Sequence, residues 1–474
     1  MKTTLEGRRD TGNGVRLAVF SAIAILFQIV WLYIFVIDLG KRYPWIFIAI
    51  TVLSVVIVLA IYNSLMTSSI KMSWIMLILA FPVFGTFLFL IIGNNYGLRS
   101  MQKRYDMLDS ELGKFLDSQN NLIDELVEKD MDVSGQFSYI KNYGGFPAYK
   151  NTDIVYYDDA AKGLEAQLKD LEKAEKFIFM EYHAIEYSAS FERIHSVLRK
   201  KVKEGVEVRI FYDYVGSMGF VGNRFAKILG EEGIECRVFN PILPFLNFFI
   251  NNRDHRKITV IDGKVAFTGG YNLADEYFHV TEPYGNWLDT GVRIEGDAVK
   301  SLTIIFLENW NAMSREKRSD ADFSGYLSGN DYHAKEKAIV QPYAVSPMGN
   351  ERVGENVYMN ILRNARHYAY FITPYLMITD ELNSTFAMAA KSGVDVRIIT
   401  PGIPDKKMIY GVTRSYYNNL VMNGVRIFEY TPGFCHAKQC VSDDKIAVCG
   451  TINLDYRRCC RPGPHNLASP NSNT

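Results

Sequence analysis

Three long apolar runs open the chain, and alternating helical and strand patterns follow them. Residues 17–37 carry no charge and one amide, Gln28. Residues 45–62 form a second run. Residues 72–92 form a third, interrupted by Pro82 and Gly85. A helix rises about 1.5 Å per residue, so about 20 apolar residues cross a hydrocarbon core. The pattern predicts a membrane anchor over 1–97 with spans near 17–37, 45–62 and 72–92. Lys2, Arg8, Arg9 and Arg16 precede the first run, and Arg99, Lys103 and Arg104 follow the third. Positive charge pulls both ends to the cytoplasmic side. Three full crossings conflict with that, whereas two crossings and a re-entrant segment agree with it. Residues 98–150 are charged, with Met101, Tyr105, Leu108, Leu112 and Phe115 at helical spacing. They predict a linker or interfacial helix.

From residue 151 onward the chain repeats itself. Residues 203–210 read KEGVEVRI and residues 391–398 read KSGVDVRI. Each follows a polar-faced helical run and enters a β-branched segment suited to a buried strand. Gly233 and Gly424 each precede a further strand-like run. Helix and strand alternate in both copies, which predicts an α/β class. The expected units are 151–330 and 331–456, paired about a pseudo-two-fold axis.

Each copy carries His-x-Lys-x4-Asp: His255, Lys257 and Asp262, then His436, Lys438 and Asp443. Each continues to a Gly-x-x-Asn element. The first holds Gly270 and Asn272, the second Thr451 and Asn453, and a carboxylate follows at Asp275 or Asp455. Strand alternation puts each histidine and lysine on one face. Asp262-Gly263 is a turn signal, so the Asn-bearing segment returns beside the histidine. This donor set suits a phosphodiester. Two ammonium groups and two amides offset the charge that grows on the non-bridging oxygens. One imidazole attacks phosphorus, and the other moves the proton of the leaving and then the entering alcohol. A carboxylate beside each ring would fix its tautomer.

Charge and cysteine usage narrow the classes. The chain has 52 Lys+Arg and 52 Asp+Glu, so no bulk charge draws it to nucleic acid. Its cysteines show no zinc-type spacing, and lysine is a poor ligand at neutral pH, so no metal or other cofactor is expected.

At these motifs the chain resembles the phospholipase D superfamily, and within it the bacterial cardiolipin synthases. Supporting segments are Trp287-Leu-Asp289, Phe306 with Trp310, Arg414-Ser-Tyr416-Tyr417, and residues 427–438, IFEYTPGFCHAK. The resemblance implies N-terminal transmembrane helices plus two tandem phospholipase D-like α/β/α repeats forming a pseudo-two-fold dimer, with the active site between them. It implies that two phosphatidylglycerol molecules become cardiolipin and glycerol through a phosphohistidine. It places the nucleophile most often at the first histidine, here His255, and leaves His436 as acid/base. It also implies no metal, and an active site on the cytoplasmic side of the bacterial cell membrane, which the apolar runs make a multi-pass location; the neutral charge balance argues against a nucleic-acid partner. Hydrolysis by the same site, giving phosphatidic acid, is the alternative, and oligomeric state is left open. After Asn453 the sequence departs from the family pattern. Residues 457–474 are rich in Arg, Pro, Ser and Asn and predict an atypical tail where a further strand with a Glu is expected. A truncated, inactive membrane protein is the corresponding further alternative.

Overall fold

A computed structural model describes residues 42–64, 66, 68–93, 99–116, 120–222, 224–241, 253–314, 320, 322–329, 331–345 and 351–455, together with positions 26, 30, 33 and 34. Most of the 17–37 run and all of the 457–474 tail lie outside the described residues.

The second apolar run forms one continuous helix, α1 (Pro44–Tyr62). It starts on a proline, whose missing N–H costs nothing in a first turn. Among the described residues it is the one helix long and apolar enough to cross a membrane, by length and composition. The third run differs from expectation. It divides into α2 (Ser68–Ala80) and α3 (Pro82–Leu88), each too short to span alone. Pro82 is the cause. A residue before proline is pushed out of the helical region, and Phe81 sits at φ −136° and ψ 75°. Gly85 then lets α3 pack closely on α2, since a Cβ there would lie 2.7 Å from the Ile78 backbone.

The charged segment also differs from an interfacial helix. Helix α4 (Arg99–Leu112) turns Tyr105, Leu108 and Leu112 into the protein core. The Tyr105 hydroxyl donates to Asn309 Oδ1 at 2.7 Å. The apolar stripe read from the sequence faces protein rather than lipid.

Fourteen strands follow among the described residues. The first seven, in one sheet, are β1 (Thr152–Tyr157), β2 (Phe177–Tyr182), β3 (Glu207–Asp213), β4 (Glu235–Phe239), β5 (Lys257–Ile261), β6 (Val265–Gly269) and β7 (Gly291–Gly296), ordered β1-β7-β6-β5-β2-β3-β4. The rest are β8 (Tyr368–Ile372), β9 (Leu376–Met377), β10 (Asp395–Pro401), β11 (Arg426–Tyr430), β12 (Gln439–Ser442), β13 (Ile446–Cys449) and β14 (Leu454–Asp455). Five of these form the second sheet, β11-β10-β8-β12-β13, and β9 pairs with β14. Strands β2, β3 and β4 are parallel, with β5 antiparallel to β2. Strands β8, β10 and β11 are likewise parallel, with β12 antiparallel to β8.

Strand β2 is buried along its full length, as expected of a central strand covered on both faces. Helix α5 (Ala160–Leu171) and helix α6 (Ala189–Lys203) cover one face of the first sheet. Helix α7 (Val299–Ala312), buried almost throughout, covers the other. Helix α8 (Val353–Asn364) and helix α9 (Asp380–Lys391) pack on the second sheet. Ile258, Ile294 and Ile305 share one buried cluster with Val357, Phe371 and Ile398, so both sheets draw on a common core.

Candidate active site

Pairing register decides where the motifs go. Lys257 opens β5 opposite Tyr182, the last residue of β2. His255 therefore sits just beyond the carboxyl edge of β2 and β3. His436 takes the same place before β12, whose Gln439 pairs with Ile372 at the end of β8. Carboxyl edges of parallel strands are where α/β sheets place their ligands.

The two sets share a local geometry. The Lys257 ammonium donates to the His255 carbonyl at 2.8 Å, and that of Lys438 donates to the His436 carbonyl. Both lysines are buried. His255 Nδ1 lies 3.2 Å from the Thr451 carbonyl, so an N–H at Nδ1 donates across the two sheets. His436 Nδ1 lies 2.6 Å from Asp289 Oδ2, again across them. Each ring is thus oriented by a residue from the other half, and each directs Nε2 away from that contact.

The electrostatics of His436 follow from this. Burial pushes its ring down to about 3; the Lys438 cation pushes the same way, Asp289 opposes, and Lys257 adds a smaller depression. Buried and neutral, the ring keeps its one N–H at Nδ1 toward Asp289 and carries no proton on Nε2. That Lys257 acts on His436 ties the first set to the second. Trp287 and Phe434 pack near the His436 ring, with centroids 5.6 and 6.0 Å away.

Behind His255 lies a buried polar network. The His183 ring packs against that of His255, with centroids 4.7 Å apart and the planes tilted by 57°. Asp254 and Arg256 flank it in sequence, and Arg256 Nη1 lies 3.6 Å from Glu181 Oε1. Asn309 donates to the same oxygen at 2.5 Å. Burial, reinforced by the nearby Asp254, pushes Glu181 well up. Burial also raises Asp254, against the lowering pull of Arg256. A cavity of about 1700 Å³ opens beside His255, lined also by Arg253, Tyr375, Lys406, Tyr430 and Thr451.

Several residues take places other than those the sequence pattern favours. Asp262 lies just past the far end of β5, five residues from Lys257. Its carboxylate accepts the backbone N–H groups of Glu175, Lys176 and Phe177 at 2.8, 2.7 and 2.9 Å. Asp443 does the same for Arg366, His367 and Tyr368 at 2.6, 2.9 and 2.8 Å. Both aspartates also sit at positive φ in the turn. Their contacts are structural, well away from the imidazoles. Asn272 is engaged internally, accepting from Ala184 N–H and donating to the Tyr277 hydroxyl. Asp275 accepts the N–H groups of Ala189 and Ser190 at the start of α6 rather than meeting a histidine. Asn453 is buried beside β14, and Asp455 lines the cavity with His255.

The carboxylate beside the His436 ring is Asp289, a residue the motif spacing does not single out. Its signal in the sequence is the Trp287-Leu-Asp289 segment alone. Gly270 explains how it fits. A Cβ on Gly270 would lie 2.0 Å from Asp289 Oδ1 and 3.1 Å from the His436 carbonyl. The Gly270 N–H itself donates to the Thr290 carbonyl. Gly270→Ala is expected to displace Asp289 and lower turnover about 10²-fold, the usual size for a misplacement near 1 Å. Initial rates beside a thermal melt check this, since a shifted melt with normal rates would assign Gly270 to packing alone.

Known proteins resemble this chain over most of its length. The family model for the cardiolipin synthase, phospholipase D-like domain matches residues 168–307 and 358–464. An uncharacterized protein of Streptococcus mutans serotype c is 42% identical over 84% of this chain and 86% of its own length. The cardiolipin synthase of Alkalihalophilus pseudofirmus is 33% identical over 81% of this chain and 76% of its own length. That of Halalkalibacterium halodurans is 32% identical over 86% and 81%. The solved phosphatidylserine synthase of Haemophilus influenzae Rd KW20 aligns over 69% of this chain and 84% of its own, with TM-score 0.49 and 17% identity. The family model covers both histidine segments, curated relatives match over more than two thirds of the chain, and the chain belongs to the phospholipase D-like cardiolipin synthase family.

Proposed function

We propose that this chain is a phosphatidyltransferase that joins two phosphatidylglycerol molecules into cardiolipin and glycerol. The observation that carries the reading is the crossed orientation of the two imidazoles, His436 by Asp289 and His255 by the Thr451 carbonyl. It leaves two Nε2 atoms, one from each half, to serve one phosphodiester. In the first step Nε2 of one ring bonds to phosphorus while the bond to the glycerol oxygen breaks. The other ring gives that oxygen a proton. In the second step this same ring takes the proton of a hydroxyl on the entering phosphatidylglycerol. That oxygen bonds to phosphorus, and the phosphorus–nitrogen bond breaks. Lys257 and Lys438 offset the negative charge of the bipyramidal state. Asp262 and Asp443 hold the turns that aim β5 and β12. Gly270 admits Asp289, and Asn272, Asn453 and Thr451 frame the site.

Family resemblance puts the nucleophile at His255. One observation favours the reverse: His436 is neutral and carboxylate-held before any substrate arrives, the state a nucleophile needs. The similar strand orders of the two sheets support a tandem pair of α/β units related by a pseudo-two-fold axis. Helix α1 supports a membrane anchor, within a multi-pass arrangement whose catalytic part faces the cytoplasm.

The test is product analysis. Purified full-length protein reconstituted with labelled phosphatidylglycerol is expected to yield cardiolipin and free glycerol. Phosphatidic acid without cardiolipin would establish a hydrolase in its place, and no lipid product would establish an inactive chain.

A further inference from the structure

Both sheets send an apolar-tipped segment beyond the edge where the histidines sit. After β3 the chain exposes Met218 and Phe220. Between them and the strand, Gly216 lies so close to His183 that a Cβ would be 2.8 Å from its ring. His183 in turn packs against the His255 ring. After β10 the chain exposes Ile403 and then forms helix α10 (Lys407–Ser415). The inner side of α10 is fixed to the site. Thr413 is buried and accepts the Leu376 N–H, and Leu376 pairs with Leu454, next to Asn453. Its outer side is apolar: Met408 is 81% exposed and Val412 is 42% exposed, one helical turn apart.

Cations surround that outer stripe. Lys406, Lys407 and Arg414 are all exposed. The two acids nearest them pair with two of these cations, Asp405 with Lys406 at 3.8 Å and Glu429 with Arg414 at 3.4 Å, and each also accepts from a tyrosine hydroxyl, so Lys407 leaves the rim with a net positive charge. Exposed methionine and valine flanked by basic residues is the composition of a helix that lies in a lipid interface. The basic residues select an anionic surface.

We propose that α10, together with the Met218–Phe220 segment that follows β3, seats the site's rim in an anionic lipid surface. The inference rests on the phosphatidyl-transfer reading and deepens it, because a rim seated in lipid receives a substrate headgroup without the lipid leaving the bilayer. The occupant is the bilayer itself, not the single lipid in the site.

Hydrogen exchange on the full-length chain tests the surface. Phosphatidylserine nanodiscs are compared with phosphatidylcholine nanodiscs, since phosphatidylserine is anionic but lacks the glycerol headgroup of the proposed substrate. Exchange across residues 403–415 is expected to slow about 5-fold or more in the anionic discs, and M408D/V412D to abolish the slowing. The double variant is also expected to lose about 10-fold in turnover of bilayer phosphatidylglycerol, while turnover of dispersed dihexanoyl phosphatidylglycerol stays within about 2-fold. Equal exchange in the two lipids, or an equal loss on both substrates, overturns the proposal. K407E, which leaves the apolar stripe intact, is expected to weaken the preference for phosphatidylserine. If the unmodified chain makes no transfer product, the transfer reading fails, and the exchange comparison still decides the surface.

Discussion

Alanine at His255 or at His436 is expected to lower cardiolipin formation by at least about 10²–10⁴-fold, the range for a lost acid–base partner and a minimum for a lost nucleophile. The two variants differ in what accumulates. Removing the nucleophile prevents any phosphoenzyme. Removing the acid/base partner slows both steps, and single-turnover quenching with labelled substrate still captures phosphate on the remaining ring. The position that carries the label assigns the nucleophile. Asp289→Asn gives the companion result. It keeps the shape beside Nδ1 but lets the amide present an N–H where the carboxylate accepts one, which turns the ring or its tautomer. Turnover is expected to fall while the melt is little changed. If either histidine variant kept a tenth of the activity or more, the shared-phosphorus mechanism would be wrong.

Asp262→Ala is expected to destabilise the folded chain by about 2–4 kcal/mol. It strips three backbone N–H groups of a charged acceptor. It also puts a side chain with no local hydrogen bond at φ 53°, where aspartate is tolerated and alanine is strained. Asp262→Asn keeps the turn and loses mainly the charge, so it should fall between alanine and the native residue. Asp443→Ala should behave alike. Burial alone would raise the Asp443 carboxyl, but the N–H groups of Tyr368, Arg366 and His367 outweigh it and hold it below the ordinary range. Denaturant unfolding of the purified protein measures the loss. Below the melting range, the folded fraction of Asp262→Ala should turn over substrate at near-native rate. A large loss of rate with no change in unfolding would instead place Asp262 in the chemistry.

These two results separate residues that share one motif. His-x-Lys-x4-Asp looks like a single catalytic unit when read along the chain. A strand rises about 3.3 Å per residue, so its last member cannot stay beside its first.

The sequence by itself determined the α/β class, the paired histidine segments and the family, because each rests on local signals. Periodicity, turn chemistry and motif spacing act within a few residues and survive without coordinates. The sequence showed Pro82 and Gly85 in the third apolar run, but hydropathy sums along a segment and does not say whether the helix bends or divides there, as it does at Phe81. It assigned the stripe on α4 to a linker or lipid, because an amphipathic face does not name its partner, and the core residues around Tyr105 lie some 200 positions away. Only the tertiary structure decided which carboxylate serves which ring. Asp289 reaches His436 across 147 positions of chain, and Gly270 supplies the space that lets it do so. Such a pair is set by two strands from different sheets meeting at one edge, and no spacing within either copy encodes that meeting.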